Sequence, residues 1–320
     1  MASIAWAFAR SGHPAPSVML KIAVSASGLI LTARMGDLVQ LCWACARADV
    51  PAPRLMRRAA PLLASRLRDL PPAQLAALAW AYAKSGTDSH SLFLAIAAET
   101  SARLFEFDAH ALSNLAWAFV TSGHADHQFL DAVEAELVPI AWQLSAQGIA
   151  NTAWAFARAQ HHSPYLWDAL AREAPAQLSQ FTPGGLAILA WAFAAAQPDA
   201  APYILSAVPQ AAAPRLAELS PADLSTLAWA MTRTGGAAAQ GLIADIVQEA
   251  APRLPSFSAR ELLTLTGAHD RAGSPSPGLL AALKRELRAR LEGKGVAEED
   301  REILRTAVEI SGIALAGKAR

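Results

Sequence analysis

Leu189-Ala-Trp-Ala-Phe-Ala194 is one copy of a phrase that returns along the whole chain. Its tryptophans are Trp6, Trp43, Trp80, Trp117, Trp154, Trp191 and Trp229, separated by 37, 37, 37, 37, 37 and 38 residues. An eighth copy keeps the register at Leu265–Arg271, with Gly267 in the place of the indole. Even spacing of this length means one supersecondary unit per repeat, each covering its apolar face with its neighbours. The fold class expected is all-α, a right-handed α-solenoid of stacked two-helix repeats. The repeats span 1–292, the first of them N-terminally incomplete, and 293–320 reads as C-terminal capping helices or a truncated further repeat. Any targeting segment is expected to lie upstream of this chain.

A single unit shows why the helices form. Ser220-Pro221 supplies a hydroxyl to cap free amides and then a residue that needs no donor. The same offset holds Asp108, Ser145, Thr182 and Ser258. Gly235-Gly236 ends the first helix, and Gly12, Gly86, Gly123 and Gly273 repeat that stop signal. Pro16, Pro53, Pro164 and Pro277 each lie ten residues beyond the tryptophan position and open a second helix. An Arg-Leu pair closes several units, among them Arg66-Leu67, Arg103-Leu104, Arg215-Leu216, Arg253-Leu254 and Arg290-Leu291. No stretch alternates with period two for long enough to make a strand, so each unit reads as two helices and two short turns.

Helical angles assign the faces of the first helix. Residues five before, two before and two after the tryptophan share one face, as in Leu75, Leu78 and Tyr82 or Leu186, Leu189 and Phe193. That face is core. The tryptophan lies well away from its centre among alanines, which suits close stacking on the next repeat's first helix. Burying such a ring contributes on the order of 2–3 kcal/mol.

Opposite the core lie the positions four after and three before the tryptophan. The first reads Arg10, Arg47, Lys84, Thr121, Arg158, Ala195, Arg233 and Arg271, so six of eight are cationic. The second includes Gln40, Asn114, Asn151 and Thr226, which can read a base edge. One cation per repeat beside a variable polar residue is what a single-strand RNA reader needs, charge for phosphates and a side chain for the base. A last-turn cation also complements the helix dipole with no ligand at all, and a polar face is also simply a solvated one. The tryptophans read as packing rings; Trp142 and Trp167 are better placed to stack on bases, although packing of the second helices accounts for them too.

Composition bounds the rest. Hydrophobic residues are 53% of the 320, charged ones 17%, and both charge signs count 27, so any nucleic-acid footprint must be local. Mean hydropathy is +0.24, but the longest apolar run, Gly184–Gln197, falls short of the ~20 residues that span a bilayer. No membrane partner is expected. Cys42 and Cys45 fit a reducing compartment, and their C-x-x-C spacing falls on core positions without a second pair to complete four ligands. His124, His127, His161 and His162 fall in turns and read as surface histidines, with no metal assigned. Phosphate-loop, nucleophile-elbow and zinc-protease motifs do not occur. The chain reads as no enzyme, with no cofactor and no small-molecule substrate.

The phrase Asn151-Thr-Ala-Trp-Ala-Phe-Ala-Arg158 and its copies resemble the octotricopeptide-repeat family and the related FAST leucine-rich and RNA-editing substrate-binding complex proteins. The likeness runs from about Met1 to Leu291. It implies an organellar single-stranded RNA-binding protein, mitochondrial or chloroplast, acting in RNA processing, stability or translation, with ribonucleoprotein partners. Many relatives end in a small RAP domain, and none is found here. The zero net charge departs from a strong RNA binder. The alternative is a protein–protein scaffold that uses the groove of the solenoid.

Overall fold

The computed structural model describes residues 1–12, 15–196, 199, 201–272, 277–292 and 297–310. Among them all regular structure is helical, in two compact units, 1–169 and 170–320. Each unit is a stretch of stacked helices in two layers. In the first unit one layer holds α1 (Ala2–Ser11), α3 (Met35–Arg47), α5 (Pro72–Ser85), α7 (Ala109–Thr121) and α9 (Ala146–Arg158), each packed on the next. The other holds α2 (Pro16–Gly28), α4 (Pro53–Ala64), α6 (His90–Ser101) and α8 (His127–Leu137). α10 (Pro164–Glu173) begins in the first unit and ends in the second. The second unit repeats the scheme with α11 (Pro183–Ala196), α13 (Pro221–Thr234), α15 (Ala259–Ala272) and α17 (Glu298–Ile310) in one layer. α12 (Ala201–Ala212), α14 (Ala237–Ala250) and α16 (Pro277–Glu292) form the other. α17 packs on α15 as a further first helix and buries Leu304, Ala307 and Val308.

The expected start and stop residues act as such. Asp108, Ser145, Thr182, Ser220 and Ser258 each accept a hydrogen bond from the amide three residues on, and Asp223 and Glu261 close capping boxes. Six residues beyond Trp6, Trp80, Trp117 and Trp229 the backbone takes a positive φ, at Gly12, Gly86, Gly123 and Gly235 (φ 62–73°). Asp49 and Gln160 take the same conformation with side chains attached. Gly273 lies outside the described residues.

The core stripe is as read from the helical angles: Leu75, Leu78, Tyr82, Leu186, Leu189 and Phe193 are all buried. Tyr82 crosses to the previous repeat, its hydroxyl donating to the Met56 carbonyl at 2.7 Å. In the eighth copy His269 fills this aromatic position and burial lowers its pKa.

One of the two expected turns is not a turn. Between the second helix and the next first helix runs a short 3-10 segment, as at Leu67–Asp69, Leu104–Glu106, Ala213–Glu218 and Ala251–Ser256. The leucine of the Arg-Leu pair is the reason: Leu67, Leu104, Leu216 and Leu254 are buried and anchor the chain while i to i+3 bonds close behind them. The arginine of the pair clips consecutive segments together. Arg215 donates to the Phe181 carbonyl at 2.7 Å, Arg253 to Leu219 at 2.6 Å and Arg290 to Phe257 at 2.6 Å. Arg103 reaches the Leu70 carbonyl at 3.5 Å and is held by Glu99 and Glu106. Neither the helical angles nor the pair itself had exposed this role.

Candidate nucleic-acid interface

The first-helix layer presents a stripe opposite its core, at spacings of four, three and four residues. On α9 it reads Gln147, Asn151, Trp154 and Arg158; on α7, His110, Asn114, Trp117 and Thr121. On α3 it is Gln40, Trp43 and Arg47, and on α5, Ala77, Trp80 and Lys84. The tryptophan therefore sits in the middle of the polar stripe, half-buried, and not beside it.

The rings form a ladder. Centroids lie 6.4 Å apart for Trp43–Trp80, 6.2 Å for Trp80–Trp117 and 6.1 Å for Trp117–Trp154, tilted by 33–40°. Equivalent residues touching in this way require α3, α5, α7 and α9 to run parallel and in register. Arg47, Lys84 and Arg158, each one turn beyond its tryptophan, therefore share one wall of the first unit. All three are exposed. Lys84 pairs with Asp49 at 3.0 Å, an open contact that solvent screens and that contributes little.

Arg10 lies over the Trp6 ring at 4.9 Å and Arg233 over Trp229 at 5.4 Å. Such cation–π contact lays a guanidinium against an indole face. Arg233 and the exposed Arg271 belong to the second unit, where the stripe also contains the exposed Ala195 and the half-buried Ile188. Gln40, Asn114, Asn151 and Thr226 are all half-buried on their stripes. Asn114 bonds to His110 at 3.0 Å, and Asn151 accepts from Gln147 at 3.0 Å. His110 and Gln147 were not singled out in the sequence, although their i−4 offset from the asparagines carried the signal.

Where α7 and α9 end, the wall opens into a cleft of about 500 Å³ lined by Thr121, Asp126, His127, Trp154 and Arg158. It offers a ring edge, a cation and a hydroxyl within one nucleotide-sized space. Trp142 is exposed and Trp167 buried, so only the first remains open to a ligand.

The cysteines are core groups. Both are free and buried; burial pushes the Cys42 thiol up to about 12 and Cys45 to about 11, so neither is a thiolate near neutrality. His127 and His162 are exposed as expected, and two of the turn histidines differ. His124 stacks on Phe93 at 4.6 Å, and His161 is buried. Turns at a repeat junction face the neighbouring repeat, which is why position in a turn did not mean exposure here.

The fold defines a protein of stacked two-helix repeats with an aromatic and cationic first-helix wall. The family model of the RNA-editing substrate-binding complex 6 protein matches residues 4–201, more than half of the chain, and the chain belongs to that family. Its role is accordingly RNA-related. No curated protein matches the chain. No helix among the described residues is long and apolar enough to cross a membrane.

Proposed function

We propose that the chain is a non-enzymatic, single-stranded RNA-binding repeat protein that works within an organellar RNA-processing assembly. Of the two organelles considered, the family match favours the mitochondrion. The observation that carries the reading is the in-register ladder Trp43–Trp80–Trp117–Trp154 with Arg47, Lys84 and Arg158 one turn beyond it. Cations at even intervals suit a phosphate backbone, and half-exposed indole edges offer sequence-tolerant contacts to bases. Gln40, Asn114, Asn151 and, in the second unit, Thr226 are then the base-edge readers. Arg10 joins the phosphate set of the first unit, and Arg233 and Arg271 are the phosphate contacts proposed for the second.

The test is the salt dependence of binding to a short single-stranded RNA. The triple variant Arg47→Ala, Lys84→Ala, Arg158→Ala should keep its helicity and lose about 2 from the slope of log affinity against log salt, at about 0.7 per phosphate released. An unchanged slope sinks the reading. The protein-scaffold alternative rests on Ala195 and Ile188, which interrupt the stripe in the second unit. Capture of one protein partner that survives ribonuclease, with no RNA affinity, would establish it instead.

A further inference from the structure

The junction between the fourth and fifth repeats holds a group of side chains that the RNA wall does not use. Asp131 and Glu134 stand three residues apart on α8 and so face the same way. His161 comes to them from the turn after α9, where Gln160 is left-handed (φ 52°) and the His161 amide bonds to the Phe156 carbonyl at 3.1 Å. Its imidazole, only 4% exposed, is set edge-on to Phe156 and stacked on His127. Nε2 lies 3.1 Å from Asp131 Oδ1 and 4.0 Å from Glu134 Oε2, and the three atoms are all within 4.8 Å of one another.

The protons decide what this group is for. His161 Nδ1 and His127 Nδ1 are 2.8 Å apart, so one of them carries a proton and the other a lone pair. Nε2 is buried and makes no hydrogen bond, despite the carboxylate beside it. With His161 Nδ1 as the donor, Nε2 presents a lone pair toward two carboxylates. Three electron-pair donors with no proton among them repel each other unless a cation sits between them, and an outward Nδ1–H bond is the usual support of a ligating imidazole.

The preceding junction provides an internal comparison. His90 and His124 occupy the equivalent positions, 37 residues earlier, and there Leu94 and Ala97 replace the two acids. In that pair both nitrogens of His124 are satisfied, Nε2 by His90 Nδ1 at 2.9 Å and Nδ1 by the Ser122 hydroxyl at 3.1 Å. Only where the acids are present does the imidazole leave a nitrogen unbonded and aim it at them.

We infer that His161, Asp131 and Glu134 bind a divalent cation of the zinc class, which clips the second helix of the fourth repeat to the turn of the fifth. One imidazole and two carboxylates suit such an ion, with water completing the shell.

The full chain, stripped with chelator and dialysed, is titrated with Co²⁺ followed by visible absorption, and with Zn²⁺ by calorimetry. The expectation is one saturable equivalent and a raised Tm with Zn²⁺. Asp131→Asn and Glu134→Gln, whose folding is verified by circular dichroism, should each weaken binding tenfold or more; they carry the test because His161→Ala opens a buried site. Absence of saturable binding by the wild-type chain overturns the inference, as does wild-type affinity in both variants. No RNA enters either measurement, so the outcome is separate from that of the proposed function.

Discussion

Trp117 holds its ring 6.2 Å from Trp80 and 6.1 Å from Trp154, residues 37 positions away on either side of it in the chain. Each ring of the ladder thus packs against others and also keeps an edge in solvent.

Packing and binding should therefore fall together when an inner rung is removed. Trp117→Ala is expected to cost about 2–3 kcal/mol of stability, below the full cost of a wholly buried ring. It should also weaken single-stranded RNA binding, by less than the about 1–3 kcal/mol of a fully stacked base, because only an edge of the ring is open. Trp6→Ala, at the exposed end, should cost less than about 1 kcal/mol. Urea midpoints and a binding isotherm on the two variants check this; equal losses at both positions would contradict the ladder.

The arginine clips predict a contrast between residues that look alike in sequence. Arg253→Ala leaves the Leu219 carbonyl without its 2.6 Å donor, at a cost of about 1–3 kcal/mol. Arg66 pairs with Asp69 in the open, so Arg66→Ala should change stability by less than about 0.5 kcal/mol. Denaturant melts of the pair measure the difference. Arg253→Lys should rescue poorly, because a single ammonium does not reproduce the guanidinium fork.

Gln160 occupies a left-handed backbone site that glycine fills in four other repeats. Gln160→Gly should stabilise the fold by about 0.5–1 kcal/mol, since relief of the side-chain strain exceeds the added entropy of the unfolded chain. Gly86→Ala, the reverse change at the equivalent site (φ 62°), should destabilise by about 1–2 kcal/mol. Thermal melts read both signs.

Acid should weaken the fold through the half-buried His124 and the buried His269. Burial, and then the neighbouring His90, lower the pKa of His124 below 6.5; burial does the same for His269. The unfolded chain then takes up these protons first as pH falls. The stabilisation is intact above 6.5 and is lost as pH drops through the lowered values. Urea midpoints at about pH 7.5 and about pH 5.5 should differ, and less so in His124→Gln. A variant with an unchanged pH response would rule out His124 as a source.

Much of this architecture is written locally. A serine or aspartate cap, a proline at the helix start and a glycine six residues past the tryptophan act through backbone bonds within a few residues, so each reads directly from its neighbours. The core stripe and the cationic stripe follow from helical angles for the same reason. The tryptophan's place at the centre of the polar stripe was available from those angles as well. It was obscured because a large ring among alanines reads first as packing.

The chain's amino-acid order alone determined the repeat, its two helices, the buried stripe and the wall on which the cations lie. Tertiary structure decided what joins one repeat to the next: the contact of Trp80 with Trp117, the reach of Arg253 to the Leu219 carbonyl, and the meeting of His161 with Asp131 and Glu134. The physical reason is distance along the chain. Caps and faces depend on residues within a turn or two, whereas these contacts join groups about thirty residues apart, and only the stacking angle between repeats brings them within a few ångströms.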